Sequence, residues 1–411
     1  GKTPWRRCAW ASCLALLLLL LAGCASRPIN APIDTVDPNA GYRPHLLIRD
    51  RPDNDPETLF FLSFSGGGTR AAALSYGVLE ALRDTPIRVE GEERRLLDEV
   101  DVMTGVSGGS FTALSYSLMG DRLFDEYESR FLKRDVQGVL TRRSFLNPVN
   151  WVRLMSRNFG RSELAAEYYD EILFDEATFA DLVNAPGPAA VATGTEMSIG
   201  TRFAFYQGDF DLICSDLGSV KLSRAAATSS AVPVVLSPVT FNNYGGSCDY
   251  PDPSWMAALS DTDPELRPAG RAWARMKDMN RLRDSAERPY LHLVDGGVSD
   301  NIGVRGVLDA LESAFVSPEF ARERGFDQIR RVIVIVANAH SEPDIDWQKN
   351  ASPPSSFQQL MKASDVPIES FSYETIELMK DRAASADQRR SLLITRARAE
   401  GMSQAAAEAL Y

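Results

Sequence analysis

Two short apolar segments, each leading into glycines and then into a helical pattern, constrain the fold of this chain most strongly. Residues 59–64 form a nearly continuous apolar run that ends at Gly66-Gly67-Gly68, and residues 100–106 run into Gly105-Val106-Ser107-Gly108-Gly109. An apolar run without alternation is typical of a strand that is covered on both faces, as in a parallel sheet. Two strand–glycine–helix units of this kind predict an α/β protein.

Further periodic segments extend this prediction. Helical patterns occur at 69–83, after 107, at 303–315 and at 366–384, and strand patterns occur at 189–206, 290–294 and 331–337. The first of these strand patterns fits a strand or a hairpin, and the Val-Ile-Val-Ile-Val run of the last predicts a central strand. We therefore expect a single α/β domain over 58–340, with a mostly parallel central sheet flanked by helices, and a mainly helical extension over 341–411.

The N-terminus has the pattern of an export signal. Three basic residues within the first seven positions precede an uninterrupted apolar run over 14–22, which is too short to span a membrane. The run ends in Leu-Ala-Gly-Cys at Cys24, which resembles the bacterial lipobox and implies that Cys24 is acylated and becomes the first mature residue. Ala25 follows, which by resemblance to Gram-negative sorting rules implies the periplasmic side of the outer membrane. The alternative is a signal peptide with an incidental cysteine.

The segment over 25–57 contains six prolines and no apolar periodicity, so it is predicted to be a tether between the lipid and the domain. The formal net charge of the chain is −12, and removing the three basic residues of 1–24 makes it −15. Such acidity argues against nucleic acid as a partner and leaves the membrane surface as the expected one. Cys214 and Cys248 could pair in an oxidising periplasm, but their spacing leaves the disulfide open.

A glycine-rich segment, Gly66-Gly67-Gly68-Thr69-Arg70, is predicted to join the first strand to the first helix. Its backbone N–H groups can turn toward one point, where the helix N-terminus adds positive potential. This arrangement suits a phosphate or a developing oxyanion, and a purely structural tight turn is the alternative. A P-loop is excluded because no Gly-Lys-Ser/Thr follows.

Two further residues carry chemistry. Ser107 lies in a G-x-S-x-G string on a strand-to-helix turn, where a strained elbow exposes a nucleophilic hydroxyl. The alternative is a Gly-Ser loop that caps the helix. Asp295 ends the strand at 290–294 and is followed by two glycines, so it can reach the crevice in which α/β proteins place their sites. The alternative for Asp295 is a turn residue.

In these three segments the chain resembles the patatin-like phospholipases, whose motifs are a glycine-rich oxyanion loop ending in Arg, a G-x-S-x-G nucleophile and a D-G-G base, in this order. The resemblance covers roughly 58–340 and includes residues 224–233, which are similar to the family's Ser-Ala-x-Pro region. It implies a Ser107–Asp295 dyad, an oxyanion hole over 66–70, an acyl-enzyme intermediate, and no metal or cofactor. A role for Arg70 in holding the loop or a lipid phosphate stays open.

The three histidines, His45, His292 and His340, bear on whether a triad replaces the dyad, because a triad places a histidine between the serine and an acid. Strand periodicity puts His292 on the face opposite Asp295. The sequence does not exclude His340.

Two segments combine basic and aromatic residues within an acidic chain. Residues 131–162 contain seven basic residues and one acid, and residues 271–283 contain five basic residues and one acid, with apolar side chains interleaved in both. Both are predicted to dock on anionic headgroups, and solvated helix faces are the equally weighted alternative.

The function expected is cleavage of carboxylic ester bonds in membrane lipids, of phospholipase A or lysophospholipase type. An esterase or acyltransferase that uses a non-phospholipid acyl donor is the alternative within enzymes, and a non-catalytic envelope-binding lipoprotein is the alternative outside them. The sequence does not specify the headgroup, the ester position or the oligomeric state.

Overall fold

The computed structural model describes residues 25–49, 54–89, 91–261, 270–340, 346–349 and 351–410. The predicted signal peptide and Cys24 lie outside these residues. Within them, no helix is both long enough and apolar enough to cross a membrane.

A seven-stranded mixed sheet forms the centre of the molecule, and a two-stranded ribbon, β2 with β3, lies apart from it. The main sheet has the order β7-β8-β5-β4-β1-β9, with β6 paired to β5 off this path. Strands β9, β1, β4 and β5 are parallel, whereas β6 and β8 run antiparallel to β5 and β7 runs antiparallel to β8. The strands are β1 Thr58–Phe64, β2 Pro86–Val89, β3 Glu92–Arg95, β4 Val102–Val106, β5 Ala189–Glu196, β6 Thr201–Ala204, β7 Val239–Asn242, β8 Tyr290–Asp295 and β9 Arg331–Ala337.

Helices cover both faces of the sheet. The α-helices are α1 Pro44–Arg49, α2 Gly68–Arg83, α3 Gly108–Met119, α4 Leu123–Tyr127, α5 Val136–Phe145, α6 Pro148–Leu154, α7 Arg161–Tyr169, α8 Phe179–Leu182, α9 Gln207–Leu212, α10 Leu222–Ser229, α11 Ser254–Ser260, α12 Gly270–Leu282, α13 Gly297–Asp300, α14 Arg305–Val316, α15 Pro318–Glu323, α16 Ser356–Ala399 and α17 Gln404–Leu410. Short 3-10 or π segments occupy Leu96–Glu99, Gly120–Arg122, Glu128–Leu132, Asp170–Phe174, Phe326–Gln328 and Trp347–Lys349. The expected fold class, a mostly parallel α/β sheet flanked by helices with a helical C-terminal region, is confirmed.

Strand β1 shows why its sequence is apolar at almost every position. Phe60 and Leu62 belong to the larger hydrophobic core on one face of the sheet, and Leu59 and Phe61 belong to a smaller core on the other face. Successive side chains of a strand point to opposite faces, so a strand between two cores needs no polar alternation.

Strand β9 corrects one prediction. The expectation of a central strand is wrong, because among the described strands β9 is the last on its side of the sheet and pairs with β1. Ile333 and Ile335 pack toward the larger core, and Val334 packs toward the smaller one. Its apolar run therefore reflects cover on both faces, which an edge strand can also have.

The N-terminal segment also differs from its prediction. The sequence predicts a tether over 25–57, but residues 25–49 pack on the domain. Tyr42 is 0% exposed, and its hydroxyl accepts a hydrogen bond from the N–H of Ala190 and donates one to the carbonyl of the same residue. Arg43 forms a buried ion pair with Asp211 at 2.7 Å. Proline content predicts the absence of a helix, but it does not predict detachment from the core.

Two further contacts join distant parts of the chain. Cys214 and Cys248 form a disulfide with a Cα–Cα distance of 5.5 Å, which answers the question that their spacing left open. The 44-residue helix α16 packs against α13, the short helix that follows Asp295.

Candidate active site

Ser107 lies at the sharp turn between β4 and α3. Its backbone has φ 48° and ψ −119°, a combination that L-residues rarely adopt. The Ser107 N–H donates to the hydroxyl of Ser229 at 2.9 Å, which holds the turn in place. This is the strained elbow that the G-x-S-x-G string predicts.

The register in which β4 and β8 pair with β5 places Asp295 next to Ser107. On one side of β5, Val106 pairs with Thr193, and on the other side Asp295 pairs with Gly194. The end of β4 and the end of β8 therefore lie at the same level, one strand apart. Strand β8 runs antiparallel to β5, so Asp295 does not end a parallel strand as the sequence suggested.

The carboxyl group of Asp295 is buried beside Ser107. Its Oδ1 accepts the N–H of Gly297 at 2.7 Å, and the side chain of Ser107 is close enough to lower the pKa of Asp295 by hydrogen bonding. Burial raises the pKa of Asp295 to about 6, and the hydrogen bonds from Gly297 and Ser107 oppose this rise. A carboxylate with this pKa is a stronger base than an exposed one and is ionised near neutral pH.

The glycine-rich loop offers donors beside Ser107, but not at every predicted position. The Gly66 N–H donates to the carbonyl of Asn301 at 2.9 Å, so Gly66 does not supply an oxyanion donor. The N–H groups of Gly67, Gly68 and Thr69 are exposed and donate to no other group in the described part of the chain. Gly67 has φ 139°, which favours glycine and turns the loop toward the N-terminus of α2.

Arg70 holds this loop from the side. Its guanidinium donates to the carbonyl of Ala339 at 2.9 Å, and the hydroxyl of Ser65 accepts the N–H of Ala339 at 2.8 Å. The loop is thus attached to the segment after β9. Arg70 was predicted to belong to the oxyanion hole, but its side chain contacts Ala339, in the segment that holds the loop.

Close packing joins the loop to the nucleophile helix. A Cβ on Gly108 would lie 1.9 Å from the carbonyl oxygen of Gly68, so only glycine allows this approach. Ser107, Asp295 and the N–H groups of Gly67 and Gly68 therefore share one site.

Helix α10 contributes residues to which the sequence reading gave no role. The carbonyl of Ser229 accepts the N–H of Gly296 at 3.2 Å, and the carbonyl of Ala231 accepts the N–H of Asp295 at 3.0 Å. The same helix is fixed by a buried ion pair between Arg224 and Glu163 at 2.8 Å. The resemblance over 224–233 marked this region, but only the tertiary contacts show that it holds the backbone of both Ser107 and Asp295.

The histidines lie in other surroundings. His292 is exposed and its Nδ1 is 3.0 Å from the hydroxyl of Thr240. His45 contacts the guanidinium of Arg324, and His340 is exposed beyond β9. Among the described residues, no cluster of His, Cys, Asp and Glu is placed to hold a metal ion.

The second basic-aromatic segment, 271–283, lies almost entirely in helix α12, which packs one face on the core. Arg275 is in an ion pair with the fully buried Asp209, and Met279 is buried in the core. Arg283 pairs with Asp252 at 2.5 Å. An amphipathic helix that packs on a core has the same sequence pattern as one that lies on a membrane, because both need one apolar face.

A serine on a strand-to-helix elbow, beside a buried carboxyl group and backbone N–H groups without an acceptor in the described chain, is the arrangement that acyl hydrolysis requires. The model of the patatin-like phospholipase family matches residues 62–308, which is more than half of the chain. The chain belongs to the patatin-like phospholipase family, a class of lipid acyl hydrolases. The matched range contains Ser107, Asp295 and the glycine-rich loop but ends before β9.

Among solved structures, human GIVD cytosolic phospholipase A2 is similar with 13% sequence identity and a TM-score of 0.36. The similarity covers 75% of this chain and 51% of that one, so the chain spans about half the length of that protein. A search of curated protein sequences found no significant match.

Proposed function

We propose that this protein hydrolyses carboxylic ester bonds of membrane lipids, as a phospholipase A or lysophospholipase, through Ser107 and Asp295. The observation that carries the proposal is the position of Ser107, on a strained strand-to-helix turn beside the buried carboxyl group of Asp295, whose pKa is raised to about 6. Membership of the patatin-like phospholipases supports lipids as the substrate class.

In the acylation step, Asp295 accepts the hydroxyl proton of Ser107 while Oγ attacks the ester carbonyl carbon. The bond from that carbon to the leaving alkoxide breaks, and Asp295 returns the proton to the leaving alcohol. In deacylation, Asp295 accepts a proton from water as the water attacks the acyl-enzyme, and Ser107 regains a proton when the fatty acid leaves.

The N–H groups of Gly67 and Gly68 are the proposed oxyanion donors. They lie at the N-terminus of α2, where the helix dipole adds positive potential, and they are not occupied by other groups of the described chain. Gly66 is left out of this role because its N–H is bonded to Asn301.

A fluorophosphonate probe tests the mechanism. Wild type should be labelled, whereas Ser107→Ala and Asp295→Asn should lose labelling. Asp300→Asn is the matched control, because Asp300 is equally buried, with a pKa also raised to about 6, but its carboxylate accepts the N–H groups of Gly303 and Arg305. Melting curves verify that each variant is folded. An unlabelled, folded wild type would remove the enzyme proposal and favour an envelope-binding role.

A panel of phospholipids, lysophospholipids and short-chain esters then separates a lipid hydrolase from an esterase with a non-lipid donor. Transfer of the acyl group to an added alcohol would identify the acyltransferase alternative.

We also propose that Cys24 carries the lipid and holds the enzyme at the periplasmic side of the outer membrane. Labelling with a fatty-acid analogue should be lost in Cys24→Ala, and fractionation of cells should place the wild type in the outer membrane. Equal labelling of both forms would contradict the anchor.

A further inference from the structure

Five large apolar side chains are exposed on one short stretch of the surface, at the end of α5 and along α6. They are 50–75% exposed and are here called the docking face: Phe145, Leu146, Val149, Trp151 and Met155. Isolated exposed apolar residues are ordinary, but a contiguous group marks a surface that binds something.

The docking face is held in a fixed conformation. The indole N–H of Trp151 donates to the carbonyl of Phe145 at 2.8 Å, and the side chain of Asn147 accepts the N–H of Val149 at 3.0 Å as the cap of α6. The amide of Asn150 donates to the carbonyl of Arg143 at 3.0 Å and ties α6 to α5. The apolar side chains are therefore presented to solvent by a rigid corner.

The basic residues around this face divide into two groups. Four are used in ion pairs with nearby acids: Lys133 with Glu128, Arg142 with Asp135, Arg143 with Glu171 and Arg153 with Glu167. Arg134, Arg157 and Arg161 form no ion pair within the described residues. Arg157 is exposed and lines a groove of about 560 Å³ at the border of the face. Guanidinium groups without a carboxylate partner, beside apolar side chains in a chain of net charge −12, suit anionic headgroups.

The start of the described chain lies beside the docking face. The hydroxyl of Ser156 donates to the carbonyl of Ala25 at 2.7 Å, and the N–H of Arg27 donates to the carbonyl of Asn158 at 2.8 Å. Ser156 directly follows Met155. Because Ala25 is bonded to Cys24, an acyl chain on Cys24 would begin next to the docking face.

The same surface is connected to the catalytic site. Arg161 donates to the carbonyl of Val234 at 2.8 Å, and Val234 and Val235 are about half exposed. These valines lie in the loop that leads from Ser229, the residue that accepts the Ser107 N–H. The docking face, the N-terminal segment and the support of the nucleophile are thus adjacent.

We propose that the docking face inserts into the surface of an anionic bilayer, the one in which the lipid on Cys24 is embedded, and places the catalytic site against that membrane. The proposal rests on the proposed function for its substrate, but the docking itself does not require catalysis. The commitment to a lipid surface, rather than a protein, follows from the unpaired arginines and from the position of Ala25.

Quenching of tryptophan fluorescence by lipids with brominated acyl chains tests this insertion in the mature lipoprotein, which begins at Cys24 and lacks Trp5 and Trp10. On vesicles that contain phosphatidylglycerol, brominated lipid should quench wild type, and Trp151→Phe should lose most of this quenching. Trp255→Phe is the matched control, because Trp255 is buried and should not contribute. Arg157→Glu should reduce quenching at low salt, whereas Arg322→Glu, an exposed arginine of α15, should not. Equal quenching of wild type and Trp151→Phe would overturn the proposal.

Activity provides the second readout. Replacing Phe145 and Leu146 together with serine should lower hydrolysis of vesicle phospholipid by about tenfold or more, since each buried apolar side chain contributes to partitioning. Hydrolysis of a soluble short-chain ester should not change. Phe315→Ser, which removes an equally exposed apolar side chain from α14, is the control. If wild type hydrolyses neither the vesicle phospholipid nor the soluble ester, the proposed function is contradicted and the quenching test stays valid. Normal hydrolysis of vesicle phospholipid by the double variant would contradict docking.

Discussion

At the scale of single residues, Asp295 has the property that most affects function. The residue is buried, and within the described chain the hydrogen bonding that opposes the cost of ionisation comes from Gly297 and Ser107. The result is a carboxyl group that is both the proposed base and a source of instability, since a buried charge without a cationic partner is unfavourable.

The first prediction concerns the pH dependence of catalysis. Because Asp295 must be ionised to accept the proton of Ser107, kcat/KM for a soluble ester should be constant above pH 7 and fall about tenfold per unit below pH 6. The measurement is a pH profile with a short-chain ester between pH 4.5 and 8.5. An acid limb near pH 4 would show that the base is not a buried carboxylate.

The second prediction concerns stability. The pKa of Asp295 is about 6 in the folded protein against 3.8 for an ordinary aspartate, so stability from this group is present below pH 3.8 and is lost as the pH rises through 6. Asp295→Asn removes that loss and should stabilise the protein by ~1–3 kcal/mol at pH 8. The gain should shrink between pH 6 and pH 4.

Thermal melts of wild type and Asp295→Asn at pH 8 and pH 4.5 measure this difference. Ser107→Ala is the control, because it removes the nucleophile and keeps the buried charge. A lower melting temperature for Asp295→Asn at pH 8 would contradict the argument.

At the scale of elements, the site forms where two strand-to-helix turns meet the end of a third strand, β8, which runs antiparallel to β5. The turn before α2 lies on the turn before α3, and the contact between Gly68 and Gly108 leaves no room for a side chain. The end of β8 joins them because β5 pairs with β4 on one side and β8 on the other.

The third prediction follows from that contact. Gly108→Ala should abolish most labelling by a fluorophosphonate and destabilise the protein by ~1–3 kcal/mol, because the new Cβ forces the oxyanion loop away from Ser107. Gly77→Ala is the matched control. Gly77 is exposed in α2 with nothing near its Cβ position, so alanine should stabilise by up to ~1 kcal/mol and leave labelling unchanged. Full labelling of Gly108→Ala would contradict the loop geometry.

At the scale of the whole molecule, segments outside the family match support the site. Strand β9 and the residues after it hold the glycine-rich loop through Ala337 and Ala339, and the N-terminal segment packs on β5 through Tyr42. Residues outside the matched range 62–308 therefore help to support the site.

The fourth prediction tests the packed N-terminal segment. Tyr42→Ala should destabilise the protein by ~3–5 kcal/mol, because it leaves a cavity and an unpaired N–H at Ala190. Ile29→Ala, at a side chain that is 68% exposed in the same segment, should change stability by less than ~0.5 kcal/mol. Denaturant unfolding measures both. A tether would make both substitutions equally harmless.

The sequence alone determined the features that depend on local chemistry. Continuous apolar runs predicted strands β1, β4 and β9, glycines at strand ends predicted the turns, and the order of Gly66–Arg70, Ser107 and Asp295 indicated the family, because each of these signals lies within a few adjacent residues. Ser229 and Asn301 were not identified as site residues, since their roles are hydrogen bonds to Ser107 and Gly66, which are distant in the chain.

Only the tertiary structure decided which apolar and charged segments face the core and which face solvent. Residues 131–162 and 271–283 have the same basic-aromatic composition, yet Trp151 is exposed and Met279 is buried. The tertiary structure likewise placed β9 at an edge and residues 25–49 against the core. Burial depends on what the rest of the chain brings to the other side of a segment, and no local pattern contains that information.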